Sequence, residues 1–401
     1  MKSLYICYFG LREPLVQTQV LPYLRELARG GIEISLLTFE PNQKQSWEQE
    51  DVEAWRARLE SSGIRWFSLP YHKRPSAPAT LYDIAAGARF AARLARREGI
   101  DVLHARAHVP MAMALLANSL GARCRLLFDI RGLMAEEYAD AGIWAENSRP
   151  FRAVKRIERA GIRRADEIVV LTRKFRDWLV EHKLKQAGQI EVIPCCVDFS
   201  LFSEATAEDR KWRTRHFELI YAGSVTGLYL LEEMGRFFLA LRKLRPDAYL
   251  RILTTSSAEN ASSVLLRAGL NRENFWVGAA SPKDVPGYLQ RARLGLSFRK
   301  PTFSQIAASP TKIAEYLATG LPVVCNAGVG DTEDLLLNEK VGVVLRAFDE
   351  KSYAEAAKVA LALAEDAGAP DRSTRVARAC FGLVEIGGVG YRNVYRRLAE
   401  R

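Results

Sequence analysis

The chain has 401 residues, 48% of them apolar and 26% charged, with a formal net charge of +11. That length exceeds one ordinary core and predicts two or three domains, and the composition excludes a disordered chain. No apolar run reaches the roughly 18 residues of a spanning helix, and the basic surplus asks for an anionic partner.

The start, "MKSLYICYFGL", lacks a small-residue cleavage site and reads as the first buried strand of a cytoplasmic protein. Short β-branched or aromatic runs then alternate with helix-patterned segments, the signature of βα units. Strands are expected over residues 4–9, 32–38, 64–69, 102–105, 125–130, 167–171 and 191–194. The helical segment "TQVLPYLRELARGG" ends on Gly30-Gly31, as a C-cap should. After Pro194, "CCVDFSLFSEATAEDRKWRTRH" shows neither period and reads as an interdomain linker. Strands resume in "FELIYAGS", "AYLRILTT", "NFWVGAA", "RLGLSFR", "LPVVCNA" and "GVVLRA", and the chain closes on a basic helix, "GYRNVYRRLAER". The expectation is α/β: two doubly wound, parallel-sheet domains over 1–200 and 217–387, a linker over 201–216, and a terminal helix over 388–401.

The six cysteines, at 7, 124, 195, 196, 325 and 380, have no CxxC spacing and read as buried reduced thiols. The adjacent Cys195 and Cys196 lack His or Cys partners at finger-like spacing. No helix-turn-helix, finger or aromatic RNA-binding signature accompanies the positive charge, so nucleic acid is not expected. An anionic small substrate or an anionic membrane surface accounts for it better. The segment "FRAVKRIERAGIRRAD" places Phe151, Val154 and Ile157 on one stripe, as an interfacial helix would, or as a core-facing helix with a solvated basic back would.

In open parallel sheets ligands bind beyond the carboxyl ends of strands. The loop after the first strand, "GLREPLVQTQ", brings Gly10 and Arg12 ahead of a helix capped near Gln17 or Thr18, and suits either an entering substrate or a plain βα turn. It lacks GxGxxG, which argues against a nicotinamide or flavin enzyme. After the third strand come His72, Lys73 and Arg74, a phosphate-attracting group or a solvated basic loop. The fourth strand runs into "HARAHVP" with His104 and Arg106, and the fifth into "FDIRGL" with Asp129 and Arg131, where Asp129 orients Arg131 through an ion pair or takes part in chemistry. In the second half, "YAGSVTGLY" puts Gly223 and Ser224 between a strand and a helix expected from Leu228, where small residues let a phosphate approach backbone amides.

The strongest signal is "SPTKIAEYLATGLPVVCNAG". Ser309 is expected as N-cap with Pro310 as the first helical residue. At 100° per residue, Ser309, Lys312, Glu315 and Tyr316 share a polar sector, with Ile313, Ala314, Leu317 and Ala318 opposite. A first-turn lysine opposes the helix dipole unless an anion sits there. A diphosphate supplies that anion, and Glu315 can accept hydrogen bonds from two ribose hydroxyls. The alternative is a surface ion pair between Lys312 and Glu315.

The run of helix, glutamate, "LATGLPVV", "NAGVGDTEDLL" and "VGVVL" resembles the donor half of family 4 glycosyltransferases, which have the GT-B fold of two Rossmann-like domains facing across a cleft. The likeness extends to "HARAHVP", "EIVVLTRKFRDWL" and "IEVIPCCVDFSLF". It implies a hexosyltransferase-type enzyme in polysaccharide, glycolipid or other glycoconjugate synthesis, moving a sugar with retention from a nucleoside-diphosphate sugar, such as a UDP-sugar, to a glycan or lipid-linked acceptor hydroxyl. No cofactor or metal is implied; the expected place is the cytoplasm, and the basic charge is compatible with a peripheral position on the inner membrane face at a lipid-linked acceptor. By the same resemblance, Glu315 holds the ribose, Gly223 and Ser224 lie near the diphosphate, and the final helix crosses back to the first domain. Ser309, Thr311, Arg299 and Lys300 join the donor contacts. Gly10, Arg12, His72, Lys73, Arg74, His104 and Arg106 fall to the acceptor cleft.

Three departures stand out. The earlier of the family's two glutamates falls on Ala307, Arg131 stands where a histidine is usual, and Gly227 and Tyr229 occupy the place of an Arg and Lys pair. Charge compensation therefore passes to Lys312, with Arg299 and Lys300 as further candidates, and Arg131 and Asp129 are counted with Lys312 as catalytic. Two rival functions are a nucleotide-sugar 2-epimerase on the same fold and a non-catalytic nucleotide-sugar-binding subunit.

Overall fold

The computed structural model describes residues 1–41 and 47–400. It divides into two compact units, the first made of Met1–Ala139, Ile143–Pro194 and Ile386–Arg401, the second of Cys195–Glu385 with Asp140–Gly142.

The first unit is built on seven strands, β1 (Lys2–Ile6), β2 (Glu33–Pro41), β3 (Ile64–Tyr71), β4 (Val102–Arg106), β5 (Arg125–Asp129), β6 (Glu167–Val170) and β7 (Ile190–Val192). They pair in the order β3-β2-β1-β4-β5-β6-β7, every pair parallel. Covered on both faces, β1 and β4 carry nearly continuous buried runs rather than alternation. Helix α1 (Ser76–Glu98) follows β3 and stops at Gly99, whose left-handed φ of 66° suits a residue without a Cβ. Helix α2 (Arg149–Arg164) lies between β5 and β6. The loop after β1 turns into a short helix at Pro14, with Glu13 as its N-cap, so the expected cap near Gln17 or Thr18 is corrected. Proline there has no N–H to leave unpaired.

The chain changes unit at Pro194 to Cys195. The stretch read as structureless linker contains helix α3 (Ala207–Arg215), which begins in a capping box: the Thr206 hydroxyl accepts the Asp209 N–H at 3.2 Å and the Asp209 carboxylate accepts the Thr206 N–H at 3.1 Å. Its residues are charged on nearly every face, which hides the helical period.

The second unit has six strands, β8 (Glu218–Ala222), β9 (Tyr249–Leu253), β10 (Phe275–Gly278), β11 (Leu294–Ser297), β12 (Val323–Asn326) and β13 (Gly342–Leu345). Their order is β10-β9-β8-β11-β12-β13, again all parallel. Helix α4 (Leu231–Arg242) starts three residues later than Leu228, because the loop first pairs with the segment after β11: Leu230 N–H donates to Phe298 O at 3.1 Å and Lys300 N–H to Leu228 O at 2.9 Å. Helix α5 (Thr311–Ala318) precedes β12.

The last helix, α6 (Val389–Glu400), belongs to the first unit; Arg401 lies outside the described residues. Its buried face binds by polar as well as apolar contacts. Tyr395 Oη pairs with Ser3 Oγ at 2.7 Å, Tyr391 Oη donates to Asp129 Oδ2 at 3.0 Å, and Arg397 reaches Glu167 at 2.9 Å and Glu191 at 2.8 Å. Among the described residues no helix is long and apolar enough to cross a membrane.

Candidate active site

In each sheet the strand order reverses once, between β1 and β4 in the first unit and between β8 and β11 in the second. Open α/β sheets bind ligands beyond the strand ends at such a point. In the second unit Gly223 leaves β8 there, and Arg299 and Lys300 leave β11.

Helix α5 brings Lys312 to the same place. Its apolar residues Ile313, Ala314, Leu317 and Ala318 are buried in one cluster. Lys312 is itself 7% exposed, with Nζ 5.0 Å from the ring centre of Tyr221 and 4.4 Å from that of Tyr229. Such aromatic faces attract a cation without neutralising it. Among the described residues no carboxylate comes within ion-pairing distance of this ammonium, which excludes the surface ion pair with Glu315. Burial therefore pulls the lysine pKa below its ordinary value, with Tyr229 opposing.

Glu315, one turn on, is half-buried. Burial pushes its carboxyl up to about 7, against the attraction of Lys312. No hydrogen bond from a described side chain engages it, so both oxygens are available as acceptors.

Three expectations for this stretch are corrected. The helix begins at Thr311 with Pro310 as N-cap and no side-chain cap, and Ser309 Oγ instead accepts the Cys195 N–H at 3.2 Å. Tyr316 leaves the polar sector altogether: it is fully buried against Gly295 of β11, and its hydroxyl accepts the Ala222 N–H at 2.9 Å. Tyrosine at this angle serves as a core residue that ties α5 to the end of β8. Thr311 is half-buried at the first turn.

Gly223 shows why the β8 loop carries a small residue. Its φ is +141°, and a Cβ there would stand 3.2 Å from both Cε and Nζ of Lys312. Gly223→Ala is expected to cost about 1–3 kcal/mol in backbone strain. It should also displace the ammonium, so nucleotide affinity falls together with the urea midpoint; an unchanged affinity would separate this loop from the ligand. Ser224 is exposed, its hydroxyl 3.3 Å from that of Thr226 and its carbonyl accepting from Tyr221 Oη.

Arg299 is buried and held by three partners: its N–H donates to Asn326 Oδ1 at 2.8 Å, Nε to Gln305 Oε1 at 2.6 Å and Nη1 to Tyr229 Oη at 3.4 Å. Lys300 Nζ donates to the Asp140 carbonyl at 3.0 Å. Ala307 is buried at the end of a short 3-10 helix. Sequence reading missed Tyr221, Gln305 and Asn326, and named Tyr229 only as a departure from the usual Arg and Lys pair; these wall Lys312 or orient Arg299, and a tyrosine or an amide at a strand end carries no spacing signal.

The first-unit candidates fare differently. Asp129 is fully buried at the end of β5, with Arg131 Nη1 at 3.5 Å, Arg106 Nη1 at 3.6 Å, His104 Nε2 at 3.9 Å and the Tyr391 hydroxyl at 3.0 Å. Burial raises its pKa, but Arg131, His104 and Arg106 outweigh that and hold it well below the usual carboxylate range. His104 is completely buried too, its Nδ1 3.1 Å from Tyr395 Oη, and burial keeps the imidazole toward its neutral form. Arg106 is 5% exposed. These three are therefore corrected: enclosed beneath α6, His104 and Arg106 do not line an acceptor surface, and Asp129 serves as an internal counter-ion. Arg131 alone of the cluster is partly exposed.

Gly10 is buried with Glu40 Oε2 where a Cβ would come within 2.9 Å. Arg12 is an exposed residue paired with Asp51 at 2.6 Å and stacked 4.0 Å over Trp47. His72 is anchored by the buried Asp83, Nδ1 to Oδ1 at 2.5 Å, which also accepts from Tyr8 Oη at 2.7 Å, while Lys73 and Arg74 are exposed.

Comparison with known proteins bears on the domain and the fold. A family model described as a glycosyl transferase 4-like domain matches residues 16–196. No curated protein matches the chain's sequence. Sucrose-phosphate synthase from Thermosynechococcus elongatus superposes with a TM-score of 0.76 at 17% identity, over 100% of this chain and 99% of that one. Anabaena HepE, solved in complex with UDP and glucose, gives 0.69 at 14% identity over 100% of both chains. A glycosyltransferase from Rickettsia africae gives 0.69 at 14% identity, over 100% of this chain and 99% of that one. The first unit thus carries a match to a glycosyl transferase 4-like domain, and the chain over its whole length has the two-domain GT-B fold of these glycosyltransferases.

Proposed function

We propose that the second unit binds a nucleoside-diphosphate sugar and that Lys312 carries the charge of its diphosphate. The observation behind this is a buried ammonium without a carboxylate partner, pressed against Gly223 at the switch point of the sheet. A buried cation is costly unless an anion compensates it. The α5 amides and Arg299 add to the same field, and Glu315 takes two vicinal ribose hydroxyls. The first unit is the acceptor-binding one, with a glycan or lipid-linked glycan hydroxyl as nucleophile, in polysaccharide or glycolipid synthesis.

Transfer then proceeds by electrostatic stabilisation of the departing diphosphate, with Lys312 aimed at charge that grows in the transition state. The sugar passes through an oxocarbenium-like state, and the product retains the anomeric configuration. Lys312 and Arg299 supply the positive charge, so no divalent cation is required; turnover that persists in chelator checks this. HepE has been solved with UDP and with UDP-glucose, which makes uridine diphosphate the first base to try.

Calorimetry with UDP tests the reading. Glu315→Ala is expected to weaken binding by tenfold or more, and unchanged affinity would remove Glu315 from the ribose. The pH dependence has a definite sign. An ionised carboxylate accepts two hydrogen bonds and a protonated one does not, so affinity should rise as pH passes through about 7. Because the folded pKa lies above the unfolded value, ionising Glu315 destabilises the fold over that interval. Glu315→Gln should accordingly melt above the wild type at pH well above 7 and lose that advantage in acid.

A further inference from the structure

The face of α2 opposite its buried side breaks the rules by which surface helices balance charge. Arg149, Arg152, Arg156, Arg159 and Arg163 recur in steps of three and four, which confines them to a sector of roughly 80° and a row about 21 Å long. All five are exposed, and none shares a hydrogen bond or ion pair with a described residue. Like charges at this spacing repel. The first turn has no acidic residue, although Arg149 and Arg152 sit at the positive end of the helix dipole. The helix's one carboxylate, Glu158, points to the buried side, where it binds His108 at 2.9 Å and Lys155.

The structure also removes the interfacial mode in which apolar residues enter the bilayer. Val154, Gly161 and Ile162 are buried, Phe151 and Ile157 are partly so, and Gly161 lies against Met111 and Phe128, where even a Cβ would stand 2.8 Å from each. The apolar stripe belongs to the core and cannot turn outward. What remains outside is charge alone, on one straight line.

We propose that this arginine row docks the first unit on an anionic lipid surface by adsorption, without inserting into it. A row of cations fits a plane of phosphate headgroups, each neutralised charge adding attraction that salt screens. The row carries no aromatic side chain on which a base could stack, which disfavours single-stranded nucleic acid. The inference is independent of the donor reading, since α2 and the Lys312 site lie in different units.

Flotation with phosphatidylcholine vesicles, with and without phosphatidylglycerol, tests it on the full chain. The wild type should float only with the anionic vesicles and be released by high salt. R152Q/R156Q/R159Q should bind at least tenfold more weakly with unchanged UDP affinity, and R152K/R156K/R159K should bind like the wild type, because charge rather than shape is recognised. Absence of wild-type binding, equal binding to neutral vesicles, salt-resistant binding or an unaffected glutamine variant would each overturn the proposal. So would tighter capture of an oligouridylate than of the anionic vesicles.

Discussion

Lys312→Ala is expected to lower turnover by about 10²–10³-fold, the usual consequence of removing one preorganised group that stabilises developing charge. Initial rates of nucleoside-diphosphate release, normalised to folded protein, measure it. The fold should not suffer. Lys312 is buried between Tyr221 and Tyr229 with no anionic partner among the described residues, so its removal relieves desolvation rather than breaking a pair. A melting temperature equal to or above the wild type, with turnover lost, is the expected combination. The reverse combination would make the lysine structural. The same burial lowers its pKa, so activity should fall at a lower alkaline pH than for an enzyme relying on a surface lysine.

Asp129→Ala should act on the first unit's stability instead, costing about 3–5 kcal/mol, because it takes the counter-ion from the buried Arg106 and frees the Tyr391 hydroxyl in a buried site. Urea unfolding followed in the first unit reads this, and UDP affinity, assigned to the second unit by the proposed donor site, serves as the internal control. The folded pKa of Asp129 lies below its unfolded value, so its contribution is present above about 3.8 and lost as pH falls from there toward the folded pKa. Acid unfolding of the wild type should therefore steepen in that range, and the variant should lack that component. A variant that keeps its stability while turnover collapses would return Asp129 to the chemistry.

These two residues show how far reading by pattern carries. Lys312 stood out because it offends a local rule, a cation at the positive end of a helix, and such offences are where a functional site is expected. For Asp129 the sequence left an ion pair with Arg131 and a part in the chemistry open side by side. Alternation past a strand end tells which face a side chain takes, not that a helix from residues 389–400 closes over it. Tyr316 failed for the same reason, since a 100° rotation from Glu315 is polar or buried according to what packs there, and Gly295 of β11 leaves room for a ring. The helix in the expected linker was hidden by charge on every face, although Thr206 and Asp209 announce its start.

By itself the sequence determined what short-range chemistry controls: the strands from β-branched runs, their parallel arrangement from the helices between them, and the amphipathic helix that carries Lys312 and Glu315. Only the tertiary structure decided which polar groups face solvent and which are core. It made His104, Arg106 and Asp129 an internal network, set Tyr221 and Tyr229 around Lys312, and turned the arginines of α2 outward while burying its apolar stripe. Burial depends on contacts between segments far apart in the chain, and no local period encodes them.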